Sequence, residues 1–178
     1  MKILIISDIH GSLYYAKEIP NILKREQADK LILLGDLYYH GPRNPLPKEY
    51  NPMEVCKILN TYKDKLQVIR GNCDALVDEM ISDFTFLDHS ILKINSHIIY
   101  FTHGHKYNKD HLPKEKIDIL VYGHFHTGFI KEENHIIFAN PGSLSLPKDN
   151  TNHSYLILKE DKLILKDIDG KIIQEKDI

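Results

Sequence analysis

The chain has 178 residues, 42% of them hydrophobic and 27% charged, with a formal net charge of -2, which is the profile of a soluble globular protein able to bury a core as one domain over 1–178. No basic surface for nucleic acid follows from that balance, and the N-terminal apolar run Ile3–Ile6 is too short for a signal peptide or a membrane span. Two cysteines, Cys56 and Cys73, make no disulfide framework and fit a reducing compartment, with the cytoplasm as the default location.

In chain order, residues 2–6 read as a first strand and 13–26 as a helix, with Ser12 as N-cap, Ile19, Ile22 and Leu23 on one face, and Pro20 as a kink or break. Lys30–Leu34 is the second strand. A proline-rich stretch over 38–50 leads into Asn51-Pro52-Met53-Glu54, an Asn cap followed by Pro at the first helical position and Glu at the third, which predicts a helix to about Tyr62 with Val55, Ile58 and Leu59 inward. Leu66–Ile69 is the third strand, and Ala75–Ile81 a short helix. This βαβαβ opening implies a parallel sheet.

Beyond residue 83 the pattern changes to hairpins. Phe86–Ile94 and His97–Phe101 flank Asn95-Ser96; Phe129–Glu132 and His135–Ala139 flank Glu133-Asn134; Ser154–Leu158 and Lys162–Lys166 flank Glu160-Asp161. The charged tail from Ile168 is expected to fray. Parallel units followed by hairpins predict two packed sheets with helices outside. The ten tyrosines and six phenylalanines read as core and hairpin packing.

Five short blocks follow five apolar runs: Asp8-Ile9-His10, Gly35-Asp36, Gly71-Asn72-Cys73-Asp74, Thr102-His103-Gly104 and Gly123-His124-Phe125-His126. Any one of them is an ordinary surface turn. Five in succession, each at the end of a predicted strand, converge on one sheet edge, where open α/β sheets build their sites. In extended chain, residues two apart share a side, so Asp8 with His10, and His124 with His126, would each meet one cluster. Carboxylates, imidazoles and an amide suit a pair of divalent ions rather than a closed thiolate-rich structural zinc site. Two such ions about 3.5–4 Å apart repel by very roughly 19 kcal/mol at an effective dielectric of ~20, so a bridging anion is required. Asp36, alone at its strand end, is the natural bridging carboxylate, and a bridging hydroxide would be the second anion and the nucleophile. The remaining charge of about +1 would draw a phosphate ester.

These blocks resemble those of the calcineurin-like metallophosphoesterases. Gly41-Pro42-Arg43-Asn44-Pro45, Asn51-Pro52, Arg70–Asp74 and Asn140-Pro141-Gly142-Ser143 are similar to the bacterial YfcE-type phosphodiesterase subgroup. The resemblance implies a four-layer α-β-β-α sandwich of two mixed sheets, and attack of a metal-bridging hydroxide on the phosphorus of a small-molecule phosphoester. It implies Asp8, His10 and His126 on one ion, Asp36 as bridge, and Asn72, His103 and His124 on the other. Manganese is the ion it implies; zinc, nickel, iron and cobalt suit the same donors.

One departure concerns leaving-group chemistry. Superfamily members commonly carry histidine at the position of Cys73, with the following carboxylate, here Asp74, holding it. A thiol is a weak hydrogen-bond donor, so substrates with good leaving groups are expected to be favoured. Arg43 could clamp a phosphate oxygen, and His40 and His105 stand close in sequence to the ligands as candidate substrate contacts. A phosphomonoesterase or nucleotide hydrolase of the same fold is an alternative, although the chain is too short for the cap domains of many nucleases. A non-catalytic scaffold like the retromer subunit of this fold is another; the presence of all seven expected ligands argues against it. Three predicted hairpins offer edges for pairing, so a homodimer or homotetramer is open to the chain.

Overall fold

In the computed structural model, which describes residues 1–178, the chain begins with β1 (Ile3–Ile6), two short helices α1 (Leu13–Ala16) and α2 (Ile19–Glu26), β2 (Lys30–Leu33), α3 (Pro52–Asn60), β3 (Leu66–Ile69), α4 (Leu76–Ile81) and β4 (Phe86–Leu87). It continues through β5 (Ser90–Ile94), β6 (His97–Thr102), β7 (Ile119–Tyr122), β8 (Gly128–Glu133), β9 (Ile136–Pro141), β10 (Ser154–Leu158), β11 (Lys162–Asp167) and β12 (Ile172–Asp177). Strands β1 to β4 run parallel, and β10, β11 and β12 extend that sheet antiparallel to give the order β12-β11-β10-β1-β2-β3-β4. The second sheet, β5-β6-β7-β9-β8, is also mixed, with β6, β7 and β9 parallel.

All four residues of β1 are buried because the sheet is covered on both faces. Leu4, Ile6, Leu31 and Leu33 pack against Ile19, Ile22, Val55 and Leu59 of the helices. Their alternates Ile3, Ile5 and Ile32 meet Ile99, Phe101, Ile119 and Val121 of the second sheet. The outer face of that second sheet carries Tyr100, Leu120, Tyr122 and Phe138, covered in part by the irregular chain between β6 and β7 rather than by a helix.

Local expectations meet mixed outcomes. Of the kink or break expected at Pro20 the structure shows the break: α1 ends at Ala16, α2 starts at Ile19, and Pro20 takes a position in the first turn of α2 where no amide hydrogen is needed. Ser12 precedes α1 but caps nothing, since its hydroxyl donates to the Lys48 carbonyl at 2.7 Å. Asn51 does cap α3, accepting from the Glu54 amide at 3.3 Å. The span Phe86–Ile94 is two strands in two sheets: β4 pairs with β3, and the chain crosses at Asp88-His89 before β5 pairs with β6. The turn between β8 and β9 lies one residue later than expected, at Asn134-His135, both of which have positive φ (51° and 64°), as a tight hairpin turn of the primed type requires. The charged tail does not fray. It forms edge strand β12, whose Glu175 and Asp177 pair with Lys162 of β11 at 3.2 and 3.3 Å.

Candidate metal centre

The strand ends of β1, β2, β3, β6 and β7 lie at one edge, and the turns after them are bonded to one another. The Asp8 amide donates to the Gly35 carbonyl at 3.1 Å, the His10 amide to Asp36 at 2.8 Å, and the Gly123 amide to His103 at 2.8 Å. Close approach needs glycine at two positions: a Cβ on Gly71 would overlap the Asp36 carboxylate, and one on Gly123 would overlap the Ser7 hydroxyl. The Asp8–His10 and His124–His126 turns are not extended. Asp8, His10, Asp36, His124 and His126 all adopt left-handed backbone, with φ of 56°, 51°, 54°, 68° and 62°. Asp8 and His10 still reach one cluster from these turns, whereas His124 and His126 separate, His126 joining Asp8 and His10 and His124 joining His103, so the shared-cluster expectation holds for the first pair and fails for the second.

Two clusters result. His126 Nε2 lies 3.3 Å from Asp8 Oδ1 and 3.2 Å from His10 Nε2, and His10 Nε2 is 3.6 Å from Asp8 Oδ1. His103 Nε2 lies 3.0 Å from Asn72 Oδ1 and 3.2 Å from His124 Nδ1. Asp36 stands between them, its Oδ2 being 3.7 Å from His10 Nε2 and 3.5 Å from His103 Nε2 while Oδ1 accepts the Cys73 amide at 2.8 Å.

This donor set fits cations. Atoms about 2.1 Å from a common ion and 90–120° apart are about 3.0–3.6 Å from each other, close to the spacing seen here. The Nδ1 atoms of His10, His103 and His126 point at the carbonyl oxygens of Tyr39, Leu34 and Leu146 at 2.8, 2.6 and 2.6 Å. Each therefore donates from Nδ1 and turns its Nε2 lone pair inward, the orientation that backbone partners impose on metal-binding imidazoles. Asp8 Oδ1 is fully buried with no hydrogen-bond partner. When both rings are neutral, the His10 and His126 lone pairs and this orphaned oxygen face one another, an arrangement that a bound cation, or in its absence a proton on a ring nitrogen, resolves.

Charges agree. Burial would raise Asp8, but His10 and His126 hold it well below the usual carboxylate range. Burial, then the charge on His103, pushes His124 down to about 4, so that it is neutral. His103 is penalised by burial, yet the Asp36 carboxylate prevails and lifts it to about 9, so a cation in its place displaces a proton.

The remaining predicted residues separate by position. Cys73 and Arg43 line an open cleft of about 800 Å³ over the clusters. Burial, then Asp36, raises the Cys73 thiol to about 12, which keeps it protonated. Its sulfur also receives the Asn72 amide nitrogen at 3.3 Å, leaving the Asn72 oxygen toward His103. Asp74 does not hold Cys73. Its Oδ2 accepts the Asp36 and Gly71 amides at 2.8 and 2.7 Å, and its Oδ1 the Leu37 amide at 2.8 Å, so it ties two ligand turns together. His40 lies edge-on between Tyr39 and Tyr50, with ring centroids 4.8 and 5.3 Å away. His105 is exposed beside His103, centroids 5.4 Å apart, outside the cleft lining.

Sequence reading missed Lys148 and Phe125, both of which line the cleft, and gave the segment 140–146 no structural role. It is a buried clamp. Ser143 donates to the Asp8 carbonyl at 2.7 Å, Ser145 to that of Ile9 at 2.8 Å, and Asn140 to that of Gly123 at 2.9 Å. Small hydroxyl residues after a strand-ending Asn-Pro-Gly were the available signal.

Residues 1–163 match the Calcineurin-like phosphoesterase superfamily domain. The chain is 38% identical to phosphodiesterase YfcE of Escherichia coli K12 over 165 residues, which cover 92% of this chain and 90% of that protein. A solved structure of Yfce, described as a phosphoesterase from E. coli, superposes with a TM-score of 0.94 at 36% identity, covering 99% of this chain and 98% of the other. Zinc-complexed Vps29 of Entamoeba histolytica superposes with a TM-score of 0.62 at 23% identity and 99% coverage of each chain, a likeness of fold alone.

Proposed function

The chain belongs to the calcineurin-like phosphoesterase superfamily, and on that footing we propose that it hydrolyses small organic phosphodiesters at a pair of divalent metal ions. The observation that carries this reading is the position of Asp36 Oδ2, 3.7 Å from the His10 side and 3.5 Å from the His103 side, where one carboxylate can serve both clusters. In this assignment Asp8, His10 and His126 hold one ion, Asn72, His103 and His124 the other, and Asp36 is shared. When bound, the ions supply Lewis-acid charge and lower the pKa of water to near neutrality.

The protein's own contribution is placement. Backbone carbonyls fix three imidazoles in the lone-pair-inward state, and the 140–146 clamp fixes the Asp8 turn beneath them. Arg43 and Lys148 line the cleft as cations for an anionic ester, Arg43 with a planar fork for two phosphate oxygens. The Cys73 thiol is a weak donor to a leaving oxygen, so diesters with acidic leaving groups turn over best. Manganese is the ion we assign to four imidazoles, two carboxylates and an amide; zinc, nickel, iron and cobalt compete for the same atoms. No helix is long and apolar enough to cross a membrane, and with two unpaired cysteines we place the protein in the cytoplasm.

A panel of mono- and diesters assayed with each metal, beside metal analysis of the purified protein, tests the proposal. Hydrolysis of aryl phosphodiesters that depends on added metal is the expected result. A protein that retains no metal and cleaves no phosphodiester refutes it.

A further inference from the structure

The cleft has a neighbour. A second cavity of about 290 Å³ opens beside it on the outer face of the five-stranded sheet. Tyr122 and Phe138, both almost fully buried, are part of its lining, together with Phe125 and Phe129, and Lys109 and Lys131 also border it. Phe125 belongs to both spaces, lining the catalytic cleft on one side and this cavity on the other.

Phe125 is not a core residue. It stands in the turn between His124 and His126 and remains 44% exposed, unusual for a phenyl ring placed between two candidate ligands. Edge-to-face contacts run outward from the metal-facing imidazoles: His103 to His124 at 5.1 Å, His124 to Phe125 at 5.2 Å, Phe125 to Tyr122 at 5.9 Å and Tyr122 to Phe129 at 5.9 Å. Such a ladder offers ring faces and edges to an aromatic guest one step away from where phosphorus would be held. Lys131 Nζ lies 5.6 Å over the Phe129 ring, and with Lys109, Asp110, Thr127, Glu133 and Asp149 it forms a polar rim around the four aromatic rings. The volume is at the lower end of small-molecule sites, enough for one planar ring system and too small for a polymer.

We propose that this cavity is a specificity subsite for a planar aromatic group on one arm of the phosphoester, gripped by Phe125, Tyr122 and Phe129. The inference rests on the phosphodiesterase reading above and extends it to the class of substrate: esters of aryl alcohols, or of nucleosides whose base reaches the pocket through the ribose. Both sources present the same flat π-face, and they differ in the distance between ring and phosphorus.

Non-hydrolysable probes separate these cases. Methylphosphonate, phenylphosphonate and adenosine 5′-phosphonate share the anion and differ in the arm. Their affinities for the metal-loaded protein are measured by calorimetry and by inhibition of aryl-diester hydrolysis. At least one aromatic probe should bind about tenfold more tightly than methylphosphonate; phenylphosphonate leading points to a directly attached ring, the adenosine compound to a base on ribose. Phe129→Ala, at a position that lines this cavity and not the catalytic cleft, should remove most of that preference and leave methylphosphonate unchanged. Phe129→Leu, which keeps an apolar side chain at that wall, should weaken the preference in the same direction with methylphosphonate unchanged, and guards against misfolding of the first variant. Equal affinity for all three probes, or an equal loss for all three in Phe129→Ala, overturns the subsite while leaving the metal centre standing. A protein that holds no metal and binds no phosphonate refutes the phosphodiesterase reading and this inference with it.

Discussion

Ser143 tests how the Asp8 turn is held. Its hydroxyl, fully buried, donates to the Asp8 carbonyl at 2.7 Å and accepts from the Ser145 and Leu146 amides at 3.2 and 2.8 Å. Ser143→Ala leaves the Asp8 carbonyl with a remaining partner, the Ser145 hydroxyl at 3.1 Å, but strands two amide hydrogens. An unpaired buried donor costs about 1–3 kcal/mol, so the substitution should destabilise the metal-free protein by about 2–4 kcal/mol. Ser145→Ala removes only donations to the Asp8 and Ile9 carbonyls and strands no amide, for about 1 kcal/mol. At about 2–4 °C per kcal/mol for a chain of this size, the melting temperatures should fall by about 4–16 °C and about 2–4 °C respectively. Urea unfolding of metal-free protein at neutral pH gives the free energies, and metal analysis after gel filtration reports the site, which Ser143→Ala should empty more readily because Leu146 also holds His126. Equal effects for the two serines, or a change below about 0.5 kcal/mol for Ser143→Ala, would refute the clamp.

Asp36→Asn should leave circular dichroism unchanged, lower bound metal, and reduce aryl-diester turnover by about 10³-fold or more; retained activity would sink the shared-carboxylate assignment. Cys73→His should accelerate esters of basic alcohols more than aryl esters, by up to about 10²-fold, read from the slope of rate against leaving-group pKa; an equal change at every leaving group would exclude a proton-donor role. Glu26, 5% exposed, accepts Lys166 at 2.8 and 2.9 Å and Tyr155 at 2.7 Å. Burial works against its charge, but these partners hold the carboxyl below the usual glutamate value, so its stabilisation is complete above the unfolded pKa and is lost as pH falls through the lowered one. Glu26→Gln should cost about 2 kcal/mol near neutral pH and flatten that acid limb in a series of urea titrations.

The residues brought together at the sheet edge were legible because each follows a β-branched run and most have a glycine beside them, signals that need no tertiary knowledge. Asn51 was equally plain, since Asn-Pro-x-Glu carries its own capping logic. What stayed hidden depended on partners distant in sequence. Alternation across Phe86–Ile94 cannot reveal that the chain changes sheets at Asp88, because both halves keep one side buried. The tail from Ile168 looked too charged to fold, yet an edge strand satisfies those charges through Lys162. Asp74 looked like a companion to its neighbour Cys73; its real partners are backbone amides at 36, 37 and 71, two of which no local pattern could supply. Ser143 and Ser145 follow Asn-Pro-Gly, which marks them as turn hydroxyls, but their acceptors on the Asp8 turn are more than 130 residues away and no local pattern names them.

Left-handed backbone at Asp8, His10, Asp36, His124 and His126 also sets a limit on laboratory evolution. Each L-residue held there gives up on the order of 1 kcal/mol, together a sizeable share of the stability of an ordinary domain. Glycine would relax any of these turns, yet at Asp8, His10, Asp36 and His126 it would empty a buried position, and at Asp8 and Asp36 it would also strand an amide, so the backbone gain is offset and the binding group is lost. Replacing strained residues by glycine, a common route to heat resistance, is therefore closed at these positions.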